Sequence, residues 1–202
     1  IVSVLSALDA KIESNRRLVV LGRRIRKARF DSLFGRAERR IPIGEIAAMV
    51  KAPVQPSTTP EAKFEHFSIP AFDAGESPDI CPGASMASGK TTLPVDPVVL
   101  VSKLNPRTPR VWVPAPTGDG IPVCSPEFVV LRPKREEDHA WLEACVRNDA
   151  RFYGEVLSAV AGTTGSRQRV RPSDLLGATV PAVDVGRRDD WAAFAGPLLA
   201  RE

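Results

Sequence analysis

Over roughly the first thirty residues, apolar positions recur at helical spacing. Ile1, Leu5, Leu8, Ile12, Asn15 and Val19 follow one another at intervals of four and three, a heptad seam, and the stripe then drifts onto Leu18, Leu21 and Ile25. The pattern predicts one helix from residue 1 to about 29. At 1.5 Å rise per residue it extends about 40 Å, more than a small domain needs for its own core, so the seam wants a partner helix. Asn15 fits two roles on that seam: fixing register at some cost in stability, or touching water at its edge.

From IPIGEIAAMV onward the periodicity changes to short apolar runs cut by proline and glycine, which suits strands and long loops. DPVVLVSKL reads as a buried strand emerging into a loop; RVWVPAP and EFVVLRP are two more strand candidates, with the turn TGDG between them. HAWLEACVRND follows the acidic REED, which favours a helix start, and FYGEVLSAVAG supplies a second helix with Gly162 as its stop. SDLLGATVPAVD reads as a cap, a short turn and an extended exit. RRDDWAAFAGPLLARE begins a helix at Asp190 with Trp191, Phe194, Leu198 and Leu199 on one side, cut off so early that little holds it. The predicted fold class is α+β: a long helix over residues 1–35, a domain of short strands and a few helices over 36–185, and the start of a second helix over 186–202.

Composition adds bounds. At 202 residues and 43% hydrophobic, the chain can form one domain with an accessory element, or two small ones. No apolar run spans a membrane, and IVSVLSALDAKIE lacks the basic start and apolar centre of a signal peptide. Cys81, Cys124 and Cys145 are odd in number, widely spaced and outside any C-x-x-C pair, which points to the reducing cytoplasm and away from a disulfide framework or a structural zinc site. The absence of a starting Met suggests a piece of something longer.

All nineteen prolines lie at or beyond Pro42, whereas ten Lys or Arg residues fall between Arg16 and Arg40 against two acids, Asp31 and Glu38. That run is either a solvated helix face or a phosphate-facing surface.

Candidate chemistry is sparse. GASMASGKTT comes within one glycine of a phosphate cradle, with Lys90 as its lysine, but ESPDICPG before it is no apolar strand, and Pro94 and Pro97 would stop a helix after it. His66 and His139 stand in no ligand spacing and read as surface or loop residues, and Glu136, Glu137 and Asp138 read as a helix start. An enzyme acting alone is not indicated. What remains is three polar and basic loops: Ser88-Gly89-Lys90; Ser102 to Arg107, with Arg110; and Gly162 to Arg169. Lys and Arg neutralise phosphates, Ser and Thr hydroxyls bond phosphate oxygens, and Arg, Asn and Gln reach base edges, so the set points to DNA.

The order of these pieces carries a resemblance. IVSVLSALDAKIESNRRL resembles the spacer helix of the specificity subunits of type I restriction-modification systems, and IPIGEIA, SGKTTLPVDPVVLVSKLNPRTPRVW, CSPEFVVLRP and GTTGSRQRVRPSDLLGATVPAV resemble their target recognition domain. The resemblance implies a non-catalytic reader of one half of a bipartite DNA site. Its partners would be double-stranded DNA, modification (methyltransferase) subunits, restriction subunits, and a second specificity half or a second copy paired through the helix, with no membrane. It implies no cofactor in this chain, S-adenosylmethionine and ATP belonging to the partner subunits. Lys90, Asn105, Arg107, Arg167 and Gln168 are then candidate base readers. Lys103, Arg110, Thr163, Ser166 and Arg169 are candidate phosphate contacts, with Ser88, Ser102 and Thr164 in the same loops. Two other readings stay open: a nucleotide-binding protein using Lys90, and a helix-mediated assembly adaptor without DNA contact.

Overall fold

The N-terminal stripe folds as one continuous helix, α1 (Val2–Phe34), a turn longer than its periodicity predicts. The structure is a computed structural model that describes residues 2–160 and 168–200, with side chains from Leu5 onward. Among these residues α1 is followed by β1 (Arg40–Pro42), β2 (Ala47–Met49), β3 (Pro53–Val54), β4 (Lys63–Phe67), α2 (Ile69–Asp73), β5 (Asp79–Pro82), β6 (Lys90–Thr92), β7 (Val99–Ser102) and β8 (Val111–Trp112). Then come β9 (Ile121–Cys124), β10 (Phe128–Pro133), α3 (His139–Asn148), α4 (Ala150–Ser158), α5 (Pro172–Gly177), β11 (Thr179–Pro181) and α6 (Val185–Leu199). The chain is thus mixed helix and sheet, with a long N-terminal helix ahead of a sheet-containing body. No described helix is long and apolar enough to cross a membrane.

The unbroken apolar runs VVLV and FVVL are explained by burial on both faces. β7 and β10 pair antiparallel in the middle of a four-stranded sheet, β2-β10-β7-β8. On one side Val99, Val101, Val129 and Leu131 join the main core under α3, and on the other Leu100, Phe128 and Val130 join a second core with Phe67, Trp112 and Cys124. That second core lies against a five-stranded sheet, β3-β6-β9-β4-β5, in which β4 and β9 are parallel. β1 and β11 form a separate two-stranded ladder.

The turn TGDG leads into β9, a strand the apolar pattern missed. It is held by a carboxylate from β4: Glu65, fully buried, accepts hydrogen bonds from the backbone N–H groups of Thr117 (2.8 Å), Gly118 (2.7 Å) and Asp119 (2.9 Å). Burial alone would raise its pKa; the donors from Thr117, Gly118 and Asp119 outweigh that and hold it below the ordinary glutamate value. Its stabilisation is therefore complete at neutral pH and is lost as the pH falls through the ordinary glutamate range toward the lower folded value. Glu65→Ala, which orphans these donors, is expected to cost about 1 to 3 kcal/mol at pH 7. The penalty, read by denaturant melts, should shrink on acidification.

Two expectations about the helices need correction. The docked face of α1 does not drift onto Leu18, Leu21 and Ile25, which are 61%, 52% and 44% exposed. It keeps the original stripe: half-buried Val19 continues into Gly22, Arg26, Phe30 and Phe34, all buried. Leu5, Leu8 and Ile12 carry that stripe outward, exposed, with Asn15 also exposed; Ile1 lies outside the described residues.

Nor is the last helix short of support. α6 begins at Val185, capped by Asp184 accepting from the Arg187 N–H, five residues before the predicted start. It buries Trp191, Ala195 and Leu199, with Phe194 and Leu198 half-buried. Arg187 lies over the Phe34 ring, Trp191 meets Phe30 and Phe34, and Arg29 lies over Phe194, so α6 runs antiparallel to α1.

The basic run divides. Arg26 is buried and donates to the buried Glu143 of α3 (2.7 Å); Arg40 donates to Asp149 (2.6 Å) and to Thr179; Lys27 pairs with Asp31 on the helix surface. Arg16, Arg24, Arg36 and Arg39 are exposed. α4 ends at Ser158, four residues before its predicted glycine stop, and Gly162 lies outside the described residues.

Candidate nucleic-acid interface

The polar loop leaving β7 is built from its own residues. Ser102 Oγ accepts from the Leu104 N–H (3.2 Å) and donates to the Leu104 carbonyl (3.0 Å), bending the chain out of the sheet. Asn105 follows with φ of 48°, a left-handed conformation that asparagine tolerates. Its carbonyl accepts from the Thr108 N–H (2.9 Å), closing a turn with Pro106 and Arg107 at the centre. Proline pre-sets the first central position of such a turn. Pro106 is buried and Arg107 stands exposed at the tip.

This loop is stitched to the end of the predicted loop Gly162 to Arg169, of which Gln168 and Arg169 are described. Leu104 and Arg169 form an antiparallel bridge, with the Asn105 N–H donating to the Gln168 carbonyl (2.8 Å) and the Val170 N–H to the Lys103 carbonyl (2.9 Å). Both rest on the turn before β10: the Lys103 N–H donates to the Glu127 carbonyl (2.9 Å), and Glu127 takes three hydrogen bonds from the Arg169 guanidinium (3.3, 2.9 and 2.8 Å). On the other flank of that turn Pro126 shares an open cavity of about 660 Å³ with Gln55, Ser88, Gly89 and Lys90. Ser88–Lys90, the loop leaving β7, and Gln168 and Arg169, the described end of the loop from Gly162, therefore meet around Pro126 and Glu127. Thr163, Thr164, Ser166 and Arg167 lie outside the described residues.

Within this cluster the candidates differ. Lys90 is only 7% exposed, and its Nζ donates back to the Ser88 carbonyl and Oγ (2.7 Å each). Burial, only partly opposed by Cys81, lowers its pKa. Lys90 opens strand β6 rather than a helix, so the backbone donors of a nucleotide cradle have no element to come from. Ser102 is buried and occupied by its own loop. Arg110 is bound to Asp73 through Nε and Nη2 (2.7 and 2.8 Å), as Arg169 is to Glu127. Hydrogen bonding to Arg110 and to Arg169 holds the carboxyl groups of Asp73 and Glu127 below their ordinary range. Each of these two arginines thus holds a carboxylate partner within the protein, Arg169 while remaining exposed. Arg107 and Arg169, half-buried Lys103 and Gln168, and exposed Ser88 and Gly89 are what the cluster turns outward.

Glu127, Asp73 and Gln55, which shape this face, carry no sequence signal: an isolated acid or amide in a loop looks like any solvated residue. His66 and His139 are not loop residues. The first lies in β4 and the second opens α3, both half-buried with pKa values lowered by burial, and His139 Nε2 is 3.3 Å from the Val98 carbonyl. Burial pushes the Cys124 thiol up to about 12 and the Cys145 thiol well above its usual value, so neither is a thiolate nucleophile at neutral pH. Cys81, Cys124 and Cys145 are free. Among the described residues no three His, Cys, Asp or Glu side chains could hold a metal ion.

The comparisons bear on this arrangement. The HsdS subunit of Thermoanaerobacter tengcongensis superposes with a TM-score of 0.57 at 21% identity, over 81% of this chain and 42% of that one. The type I restriction-modification S subunit of M. genitalium superposes with a TM-score of 0.59 at 15% identity, over 98% and 52%. The fold is that of a type I specificity subunit. A third solved structure, from work on complex assembly and conformational transition of a type I restriction-modification system, superposes with a TM-score of 0.59 at 19% identity, over 83% and 43%. The chain thus spans about half the length of the specificity-subunit structures it matches. No family model matches the sequence, and no curated protein does.

Proposed function

We propose that this chain is the DNA-reading part of a type I restriction-modification assembly. Its body reads one half of a bipartite site through the loop cluster around Ser125–Glu127. Helix α1, paired with α6 and carrying the exposed stripe Leu5, Leu8 and Ile12, joins a second reading half, either in the same longer polypeptide or in a second copy. Modification subunits dock on it and supply S-adenosylmethionine and methyl transfer, restriction subunits supply ATP-driven cleavage, and this chain contributes no catalytic group.

The observation that carries the reading is the convergence of Ser88–Lys90, the loop leaving β7 and the pair Gln168 and Arg169, remote in sequence, around Pro126 and Glu127, with Arg107 held out on a proline-set turn. Arg107 is the base reader assigned here. Arg107→Ala, in complex with the modification subunits, is expected to weaken binding to the preferred site by about 1 to 3 kcal/mol and to relax selection at one base pair. Selection from a randomised DNA pool reads both effects. A uniform loss across all sequences would make Arg107 a phosphate contact instead. Salt-independent self-association with no DNA retardation would favour the assembly-adaptor reading.

A further inference from the structure

We infer that Arg23 and Glu76 form a clamp that sets the angle at which α1 leaves the body and, resting on the function proposed above, the spacing between the two DNA half-sites. Arg23 lies at the outer end of the docked stretch. Inward of it Arg26, Phe30 and Phe34 are buried; outward, Val19 is half-buried and Leu5, Leu8, Ile12 and Leu18 are exposed. Its guanidinium meets the Glu76 carboxylate as a fork, Nη1 to Oε1 at 2.8 Å and Nη2 to Oε2 at 2.7 Å.

The abutment on the far side is firm. Glu76 closes the turn after α2, its N–H donating to the Ala71 and Phe72 carbonyls. α2 is itself pinned to the β8 region, by Phe72 against Trp112 and Asp73 against Arg110. The backbone of Glu76 is left-handed, with φ of 60°, directly after Gly75 at φ of 136°. A glutamate is disfavoured there and a glycine would fit without strain. The turn alone does not call for an acidic side chain; reaching Arg23 does.

The lever arm gives this pair its consequence. From Arg23 to Val2 the helix runs about 30 Å, so a tilt of about 6° moves its tip by about 3 Å, close to the rise of one base pair. A pair that holds the angle to a few degrees therefore selects one spacer length over its neighbours.

The test uses the whole chain with nitroxide labels on Lys11→Cys and Lys63→Cys, in a Cys81→Ser background, and reads their distance distribution. The parent should give one narrow distance. Glu76→Gly should melt at the same temperature or higher, because the turn relaxes, yet shift or broaden the distribution by about 2 Å or more, since Lys11 lies about 18 Å along the helix from Arg23. Exchanging the pair, Arg23→Glu with Glu76→Arg, should narrow it again. An unchanged distribution in Glu76→Gly overturns the clamp. In a second arm, with modification subunits present, sites whose spacers differ by one base pair are compared. The parent should prefer one length and Glu76→Gly should accept its neighbours. Moved distances with an unmoved spacer preference overturn the role in spacing. A parent that binds no DNA sinks the proposed function instead, and the distance arm still decides the clamp.

Discussion

Glu143→Ala is expected to cost about 3 to 5 kcal/mol, because it removes the carboxylate of a buried ion pair. Glu143 and Arg26 are 0% and 1% exposed and meet at 2.7 Å; Arg147 also donates to Glu143, and its Nη2 reaches the Val111 carbonyl at 2.8 Å. With the carboxylate gone, the buried Arg26 guanidinium stays one helical turn from the aromatic cluster of Phe30, Phe34, Trp141 and Trp191 and loses its hydrogen bond to Glu143. The double change Arg26→Met with Glu143→Leu should lose far less, because desolvation of a buried pair offsets most of its attraction. Urea titrations of both variants decide the matter. A single-variant loss below about 1 kcal/mol, or a double variant as damaged as the single, would contradict this account of how α1 is anchored.

The same pair shows why part of the molecule was legible in the sequence and part was not. β7 and β10 could be read because both faces are covered, which writes an apolar run into the chain, and α1 because a helix face repeats every three or four residues. β4 escaped because Glu65 and His66 break its apolar pattern; Glu65 is inside only because it binds a turn 52 residues later. β9 escaped because Pro122 interrupts it, and β5 because most of it is exposed.

The three loops of the candidate interface were visible as polar and basic segments, and the structure brings two of them together with Gln168 and Arg169, the described end of the third. What could not be read is which cations are free. Asp73 and Glu127 neutralise Arg110 and Arg169 from 37 and 42 residues away, and Glu143 turns Arg26 from an apparent surface charge into a core residue from 117 residues away. Charge pairing over such separations is set by the tertiary fold, and no local spacing records it.

Trp191→Ala should be as costly, about 3 to 5 kcal/mol, for a different reason: a cavity in place of a broken charge pair. Trp191 is 2% exposed, stands within 5.8 Å of both Phe30 and Phe34 and 6.3 Å from Trp141, and its indole N–H donates to the Ala140 carbonyl at 3.0 Å. It is the residue through which α6 grips both α1 and α3. Trp191→Phe keeps most of the ring contact and forfeits that hydrogen bond, so about 1 to 2 kcal/mol is expected. Hydrogen exchange separates local from global damage. In Trp191→Ala the amides of α6 should lose protection well before those of β7 and β10, which keep a second core without this ring on their other face. Equal loss in both would mean that α6 folds as one unit with the sheets, and that the antiparallel α1–α6 pair is not a separable arm of the body.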